Sequence, residues 1–303
     1  MSAPATLSTR TALLLLVPPF LWAGNAITGR LVHELIPPMT LNFLRWVLAL
    51  VLLLPMAHAV LARHSALWTH WRRYAVLGFL GVGAYNSLQY TALQTSTPIN
   101  VTLVASSTPV FMLLIGAVFF KQRVHARQVM GSAWSVAGVL LVLSRGDWQS
   151  LMNVHLVVGD LFVLAATVAW AFYSWMLSQP QHDPAEVRGH WARFLVAQIV
   201  FGLCWSGAFS VAEWTLLDDA HIVWGWPLAL ALVYVAVGPS ALAYRCWSQG
   251  VQSVGPTVAG FFANLTPVFA ATLSALMLGE PPQLYHLGAF VLIVGGIVVS
   301  SRK

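Results

Sequence analysis

The sequence predicts an all-α integral membrane protein with ten transmembrane helices, arranged as two inverted five-helix repeats around a central cavity. Two observations carry this prediction. Hydrophobic residues make up 58% of the 303 residues and charged residues only 8%, whereas a typical soluble domain carries about 25% charged residues. In addition, the sequence Thr108-Pro109-Val110-Phe111 recurs as Thr266-Pro267-Val268-Phe269, so the chain repeats itself.

Long uncharged segments define the individual spans. The segment between Arg73 and Lys121 contains no Asp, Glu, Lys or Arg, and it is long enough for two helices of about 20 residues each. Arg10 and the apolar segment after it resemble a signal peptide, but many further spans follow, so we expect a retained first helix. Hydropathy predicts spans at 11–31, 40–60, 74–93, 99–120, 126–144, 157–178, 190–212, 224–247, 256–278 and 284–300.

The second half of the chain resembles the first. Besides the Thr-Pro-Val-Phe motif, Trp22-Ala23 in the first span matches Trp170-Ala171 in the sixth. We therefore assign residues 1–150 to a first repeat and residues 151–303 to a second. Because each repeat has five spans, the second enters the membrane with the opposite orientation. Inverted repeats of this kind are typical of secondary transporters, which bind their substrate at the repeat interface.

Each repeat contains a proline in the middle of an apolar segment, Pro109 in one and Pro267 in the other. A proline in a helix removes one backbone N–H and frees the carbonyl four residues earlier. Ser106 and Asn264 lie next to the freed carbonyls in sequence. Freed backbone groups at membrane depth must be satisfied by protein groups or by water in a cavity. The repeated proline therefore predicts a polar pocket.

The distribution of Lys and Arg predicts the orientation in the membrane. If the N-terminus is cytoplasmic, ten of these residues lie on the inner side and three, Arg30, Arg45 and Arg145, lie on the outer side. Positively charged loops favour the cytoplasm, so we expect both termini to be cytoplasmic in a multi-pass protein of a bacterial plasma (inner) membrane. The net charge of +6 reflects this orientation and does not indicate nucleic-acid binding.

Several short motifs, in their order and spacing, resemble the EamA branch of the drug/metabolite transporter superfamily. They are Trp22-Ala23-Gly24-Asn25, Gly159-Asp160-Leu161, Ala241-Leu242-Ala243-Tyr244, Leu265-Thr266-Pro267-Val268-Phe269 and Leu278-Gly279-Glu280-Pro281. The resemblance implies ten helices in two inverted repeats, as in exporters of amino acids and other small metabolites. It also implies that the first, third, fourth, sixth, eighth and ninth helices line the cavity. Arg245 departs from the pattern, because the family usually has an apolar residue there.

Polar and aromatic side chains recur at helical spacing on these helices, and residues three or four positions apart share one face of a helix. They line a cavity in our interpretation, whereas helix packing, interfacial anchoring and hydrogen bonding between helices are the alternatives. The candidate substrate-binding residues are Trp22, Asn25, Tyr85, Asn86, Gln89, Ser106, Pro109, Trp170, Tyr173, Tyr244, Arg245, Trp247, Asn264 and Pro267.

Arg245 is a charged residue within the eighth predicted span. Such a residue costs about 2.5–3.5 kcal/mol on insertion scales, and it usually has a function. Since a guanidinium can hold a carboxylate through two hydrogen bonds, we expect Arg245 to face the carboxylate of an amino-acid-like substrate. The alternative is that its long side chain reaches the cytoplasmic head groups.

These observations predict an exporter of small amphipathic metabolites that works by alternating access. Amino acids, including hydrophobic and aromatic ones, are the leading substrates, and drugs, nucleobases or other metabolites are the alternatives. We expect no cofactor, metal or catalytic residue. The expected partners are the lipid bilayer and a small-molecule substrate, with the protein as a monomer or homodimer.

An integral membrane enzyme is the alternative of another class. Against it, His33-Glu34 lacks the second histidine of a zinc motif. Gly238-Pro239-Ser240 does not form a nucleophile elbow, and no paired carboxylates lie at depth in the predicted spans. A non-transporting sensor or assembly subunit would lack a repeat interface lined with polar residues.

Overall fold

The computed structural model describes residues 7–93, 95–96, 98–147, 149–152, 155–217, 220–278 and 283–301. Within these residues, nine helices are long and apolar enough to cross a membrane. Residues 279–281 of one family-like motif lie outside the described residues, and so do residues 302 and 303, which contribute to the charge count.

Six long helices are continuous, and they begin and end close to the predicted spans. They are α1 (Thr9–Leu31), α2 (Pro38–Ala57), α5 (Ala126–Leu143), α6 (Val158–Leu177), α7 (Trp191–Leu216) and α10 (Leu284–Ser301). Short helical turns occupy His58–Leu61, Ala66–Thr69, Gln149–Met152, Pro180–His182 and Ala185–Arg188 in the connections.

The other four spans are interrupted near their middle. α4 consists of Pro98–Ala105 and Thr108–Phe120, and α9 consists of Pro256–Ala263 and Thr266–Leu278. α3 runs through Trp71–Gly78, a π-helical turn at Phe79–Ala84, and Tyr85–Leu93. α8 runs through Trp226–Val235, a π-helical turn at Ala236–Leu242, and Ala243–Val254. α3 is not among the nine apolar helices, so its crossing of the membrane stays a prediction.

Prolines account for the interruptions of α4 and α8, and hydroxyl groups satisfy the carbonyls that the prolines free. In α4, the Thr108 hydroxyl donates a 2.6 Å hydrogen bond to the Ala105 carbonyl, as expected for Pro109. In α8, the Ser240 hydroxyl donates to the Val235 carbonyl at 2.8 Å, four residues before Pro239. The backbone is therefore broken without leaving these acceptors unpaired in a medium that lacks water.

The two halves of the chain pack on each other in a symmetric pattern. Three pairs of equivalent helices are in contact, namely α2 with α7, α4 with α9, and α5 with α10. In addition, α1 packs on α8 in the same way that α6 packs on α3. This pattern is that of two repeats related by a pseudo-two-fold axis, and it brings α1, α3, α6 and α8 together in the middle.

Candidate functional site

A cluster of aromatic rings fills the space between α1, α3, α6 and α8. Trp170 on α6 is its centre, with only 2% of its surface exposed. Five other rings have their centroids between 4.7 and 5.5 Å from the Trp170 ring, and they belong to Trp22, Tyr85, Tyr173, Tyr244 and Trp247. The structure thus brings together six candidate residues from both repeats, which we call the Trp170 cluster.

The π-helical turns of α3 and α8 supply hydrogen-bond acceptors to this cluster. The Trp22 indole N–H donates to the Pro239 carbonyl at 3.3 Å, and the Tyr244 hydroxyl donates to the Gly81 carbonyl. Both carbonyls lie inside the π-helical turns, where the regular backbone bonding of an α-helix is altered. Such turns occur frequently at functional sites. The sequence analysis did not predict them, although Gly-Val-Gly and Gly-Pro in these helices are the signal that could have done so.

Two further polar tips of the cluster bind side chains. The Tyr173 hydroxyl donates to Gln198 Oε1 at 2.9 Å, and the Trp247 indole N–H donates to Ser174 Oγ at 3.1 Å. These bonds fix the rings while leaving their faces apolar. A rigid set of aromatic faces with satisfied edges is suited to contact the apolar part of a small molecule.

A large cavity of about 1390 Å³ opens at one end of the molecule, where α4, α6 and α8 end and α5 and α9 begin. We call it the end cavity. Its charged lining residues are Arg123 and Arg127, joined by His125 and several glutamines and serines, and the lining contains no acidic residue. The distribution of Lys and Arg predicts this end to be cytoplasmic.

A second cavity of about 220 Å³ lies beside the end cavity, and both are lined in part by Gln252. This side pocket also contains Arg188 and Arg245, and it reaches Tyr173 and Tyr244 of the Trp170 cluster. The two cavities are therefore neighbours, and the side pocket reaches the aromatic centre. The charged residues that line them, Arg123, Arg127, Arg188 and Arg245, are all positive.

Arg245 lies in the wall of the side pocket rather than inside the Trp170 cluster. Its side chain is exposed, and its guanidinium carbon lies 4.6 Å from the ring centroid of Trp191. This contact is a cation–π interaction. The carboxylate-binding role expected for Arg245 stays a prediction.

Among the other candidate residues, Gln89 forms a contact within α3, whereas Ser106 and Asn264 form a contact between helices. Gln89 donates to the Tyr85 hydroxyl at 3.2 Å. Asn264 donates to the Ser106 carbonyl at 3.1 Å and to Ser135 Oγ at 2.9 Å, so it joins α9 to α4 and α5. Hydrogen bonding between packed spans is the alternative role that polar side chains have in membranes.

The two repeated prolines differ in their surroundings. Pro109 is buried, and its Cα lies close to Gly260 of α9, whereas Pro267 is half-buried. Neither residue lines the end cavity or the side pocket. In the part of the chain that the structure describes, Pro109 therefore lies where α4 and α9 pack closely, and not in the wall of a cavity.

Hydrogen bonds join the two repeats at the end of the molecule opposite the cavities. The buried Glu213 carboxylate of α7 accepts bonds of 2.9 Å from both the backbone N–H and the hydroxyl of Thr40, in the first turn of α2. Asp160 of α6 accepts bonds from Ser96 and, at 3.0 Å, from Asn100. A carboxylate is favourable at a helix N-terminus because it satisfies free N–H groups and the helix dipole.

Sequence reasoning missed a buried polar group next to the Trp170 cluster. Arg45 and Trp46 of α2 are 1% and 0% exposed, and the Trp46 ring lies 5.0 Å from the Tyr244 ring. Asn25 and Asn86, both candidate residues, lie in the same region, since Asn25 accepts a hydrogen bond from Arg45 at 3.4 Å and Asn86 lies beside the Tyr244 hydroxyl. The distribution of Lys and Arg predicts the outer side for Arg45, so the burial of its side chain corrects that assignment.

Comparison with known proteins reveals relatives along the whole chain. The uncharacterized transporter YyaM of Bacillus subtilis is 25% identical, over 75% of this chain and 72% of its own length. The aromatic amino acid exporter YddG of Ancylobacter novellus is also 25% identical, over 80% of this chain and 78% of its own. A solved crystal structure has a TM-score of 0.74 at 23% identity and covers 96% of this chain and 97% of that one, which shows the same fold.

The family comparison covers both halves of the chain. The model of the EamA-like transporter family matches residues 9–144 and matches again at residues 157–302. The two matches include every long helix of the described structure. The protein is therefore a multi-pass membrane protein that belongs to the EamA-like transporter family.

Proposed function

We propose that the protein exports small amphipathic metabolites, with amino acids as the main substrates, and hydrophobic and aromatic amino acids among them. The observation that carries this proposal is that Tyr173 and Tyr244 of the Trp170 cluster line the side pocket, whose charged lining residues are both arginines. The rings offer apolar faces to a side chain, while the positive charge attracts a carboxylate. A relative that is named an aromatic amino acid exporter supports the same substrate class.

In the proposed cycle, the substrate enters from the cytoplasm and leaves on the other side by alternating access. The cavities open at the end that is predicted to be cytoplasmic, and the opposite end is joined by the bonds of Glu213 and Asp160. This arrangement is that of a carrier ready to load substrate from inside. The return of the empty carrier requires the two repeats to rock around the central site.

Flux measurements with purified protein in liposomes test the proposal. We expect counterflow of radiolabelled L-phenylalanine, L-tryptophan and L-leucine to exceed that of uracil and of a cationic dye. Trp170→Leu removes the central ring, and we expect it to weaken the apparent affinity for L-tryptophan about tenfold, since one buried aromatic pair contributes about 0.5–1.5 kcal/mol beyond its area. Trp226→Leu is the matched control, because Trp226 is 81% exposed.

Two outcomes would contradict the proposal. Flux of uracil or the dye without flux of any amino acid would assign the protein to another substrate class. Equal L-tryptophan affinity in the Trp170→Leu and Trp226→Leu variants would show that the aromatic cluster does not contact the substrate. Trp22→Leu provides a second test of the cluster, because Trp22 is only partly buried and its loss disturbs packing less.

A further inference from the structure

Arg45 is a buried cation that lacks a counter-charge in the described part of the chain. It is the eighth residue of α2, about 10 Å along the helix axis from its start, and 1% of its surface is exposed. Its hydrogen bond from Nη1 to Asn25 Oδ1 is 3.4 Å long, and Nε has no partner. None of the described carboxylates lies within 4.0 Å of its guanidinium.

An unpaired charge at this position is costly, because buried charges are normally paired with an opposite charge and fully hydrogen-bonded. The structure provides an internal comparison. Arg73 and Arg188, which are partly exposed, share the Asp183 carboxylate. Arg45 is more deeply buried than either and has only an amide oxygen. The missing negative charge is therefore the feature that requires an explanation.

Two further hydrogen-bond donors near Arg45 lack a well-formed hydrogen bond. The indole N–H of Trp46 is buried and unpartnered, and the buried side-chain amide nitrogen of Asn86 has only a poorly aligned contact with the Tyr244 hydroxyl. All three residues lie around Tyr244, since Trp46 packs on its ring, Asn86 lies beside its hydroxyl, and Arg45 interacts with it electrostatically. Three buried donors whose hydrogen bonds are missing or weak, one of them cationic, lie around one ring and form a site for an anion with several acceptor oxygens.

We infer that Arg45, Trp46 and Asn86 form the subsite that binds the carboxylate of the transported metabolite. This inference rests on the proposed function, because it assigns the two ends of an amphipathic substrate to two neighbouring parts of one site. The carboxylate binds at Arg45, and the apolar part packs on the Trp170 cluster, whose Tyr244 ring lies between them. One turn before Arg45 on the same helix, the unpartnered Asn42 Oδ1 offers an acceptor to the ammonium group of an amino acid.

Arg45 thereby takes the role that the sequence analysis gave to Arg245. The guanidinium of Arg245 is exposed and lies over Trp191 in the side pocket, where water screens its attraction for a carboxylate. Arg45 has no such screening, since it is almost fully buried. A charge-assisted hydrogen bond to a buried group is stronger than one at an exposed position.

Binding of two matched ligands to detergent-purified protein tests the inference. L-Phenylalanine carries a carboxylate, and L-phenylalaninamide replaces it with a neutral amide. We expect the wild type to prefer L-phenylalanine about 10- to 100-fold, the range that corresponds to a hydrogen-bonded charged group. Arg45→Met removes this preference, while Arg30→Met, at an exposed arginine near the end of α1, retains it. Calorimetric titration measures each dissociation constant.

Thermal stability separates a binding role from a structural one. If Arg45 were structural, Arg45→Met would lower the unfolding midpoint of the ligand-free protein and weaken both ligands equally. If Arg45 is instead an uncompensated buried charge, we expect the unfolding midpoint of Arg45→Met to equal or exceed that of the wild type. The reason is that a well-packed apolar residue replaces a buried ion at no cost in stability. Trp46→Phe keeps the arginine and the ring but removes one donor, and we expect it to reduce the preference for L-phenylalanine about three- to tenfold.

A carboxylate without any side chain distinguishes failure of this inference from failure of the proposed function. If the wild type binds neither phenylalanine compound, the proposed substrate class is wrong. The effect of sodium formate on the unfolding midpoint then tests carboxylate binding at Arg45 independently. We expect formate, compared with gluconate at equal ionic strength, to raise the unfolding midpoint of the wild type and Arg30→Met but not of Arg45→Met. Equal effects in all three proteins, or loss of the ligand preference in Arg245→Gln instead, would overturn the inference.

Discussion

Replacing Asp183 with Asn removes the one carboxylate that two arginines share. Asp183 lies in the connection between α6 and α7, and its side chain is fully buried. Arg73 of α3 donates from Nε to Oδ1 at 2.6 Å and from Nη2 to Oδ2 at 3.1 Å, and Arg188 donates from Nη1 to the same Oδ2. The cluster thus ties the first repeat to the second near the open end of the molecule.

The expected loss of stability follows from the burial of the two arginines. Their side chains are only 13% and 10% exposed. Burial lowers the pKa of the Arg188 guanidinium, and Asp183 opposes this shift, but an arginine stays charged under all ordinary conditions. Asp183→Asn therefore leaves two partly buried cations without a counter-charge. Breaking a buried ion pair in this way costs about 3–5 kcal/mol.

Part of this loss is offset by bonds that remain. Arg73 also donates to the Met176 carbonyl at 2.8 Å and to the Gln179 carbonyl at 3.1 Å, and Arg188 donates to the Leu177 carbonyl. These acceptors lie at the C-terminal end of α6, which favours positive charge. We therefore expect a loss near the lower limit, about 3 kcal/mol, which corresponds to a fall of about 6 °C or more in the unfolding midpoint.

Gel filtration with fluorescence detection after heating measures this midpoint in detergent. Glu186→Gln is the matched control, because it removes the same charge from the same connection. Glu186 is exposed and accepts a single 3.3 Å bond from the Ala66 backbone, so we expect a change within about 0.5 kcal/mol. If the two variants unfold at the same temperature, the carboxylate does not compensate the buried arginines and the argument is wrong.

Three further predictions concern helix contacts, and the same heating assay measures each of them. Gly131→Ala places a methyl group 2.7 Å from the Gly296 carbonyl, and we expect it to destabilise the α5–α10 contact by about 1–3 kcal/mol. The control is Gly29→Ala, whose methyl group meets nothing within 4 Å, so we expect equal or higher stability. Thr108→Val removes the donor to the Ala105 carbonyl, and we expect a loss of about 1–3 kcal/mol; an unchanged midpoint would mean that another group satisfies this carbonyl. Glu213→Gln weakens the bonds to the first turn of α2, so we expect a loss of about 1–2 kcal/mol together with faster labelling of residues at that end of the protein by water-soluble reagents.

Hydropathy predicted the positions of the long helices because an apolar segment of about 20 residues has few alternatives in a bilayer. It placed two helix ends too early. α7 continues to Leu216 because the carboxylate of Glu213 is satisfied by α2, a partner that hydropathy does not include. α8 continues to Val254 because Gln252 faces the cavities rather than lipid. In both cases, tertiary contacts make a polar residue acceptable in a helix.

The aromatic part of the candidate site could be predicted because its residues recur at helical spacing, and such residues share a face. The polar part could not be predicted in the same way. Arg45 sits next to α1, α3 and α8, so its surroundings depend on how three helices pack. In sequence it appears as one charge near the start of an apolar segment, which the charge count assigned to the outer side. Arg245 appears deeper in sequence but is exposed in the structure.

The end of the molecule opposite the cavities must open during the proposed transport cycle, and hydrogen bonds hold part of it closed. Glu213 and Asp160 are bound by hydroxyl, amide and backbone N–H groups, all of which regain hydrogen bonds to water when the repeats separate. Each hydrogen bond makes a net contribution of about 0.5–1.5 kcal/mol. A few of them therefore stabilise the closed conformation over the open one by only a few kcal/mol. Two conformations that exchange during transport differ by about this amount. Apolar side chains of both repeats are buried at the same end, with Val32, Ile36 and Leu41 packed against Leu228 and Leu232. The hydrogen-bonded part of the closure is therefore compatible with the proposed cycle, and the burial of this small apolar cluster adds to the stability of the closed end.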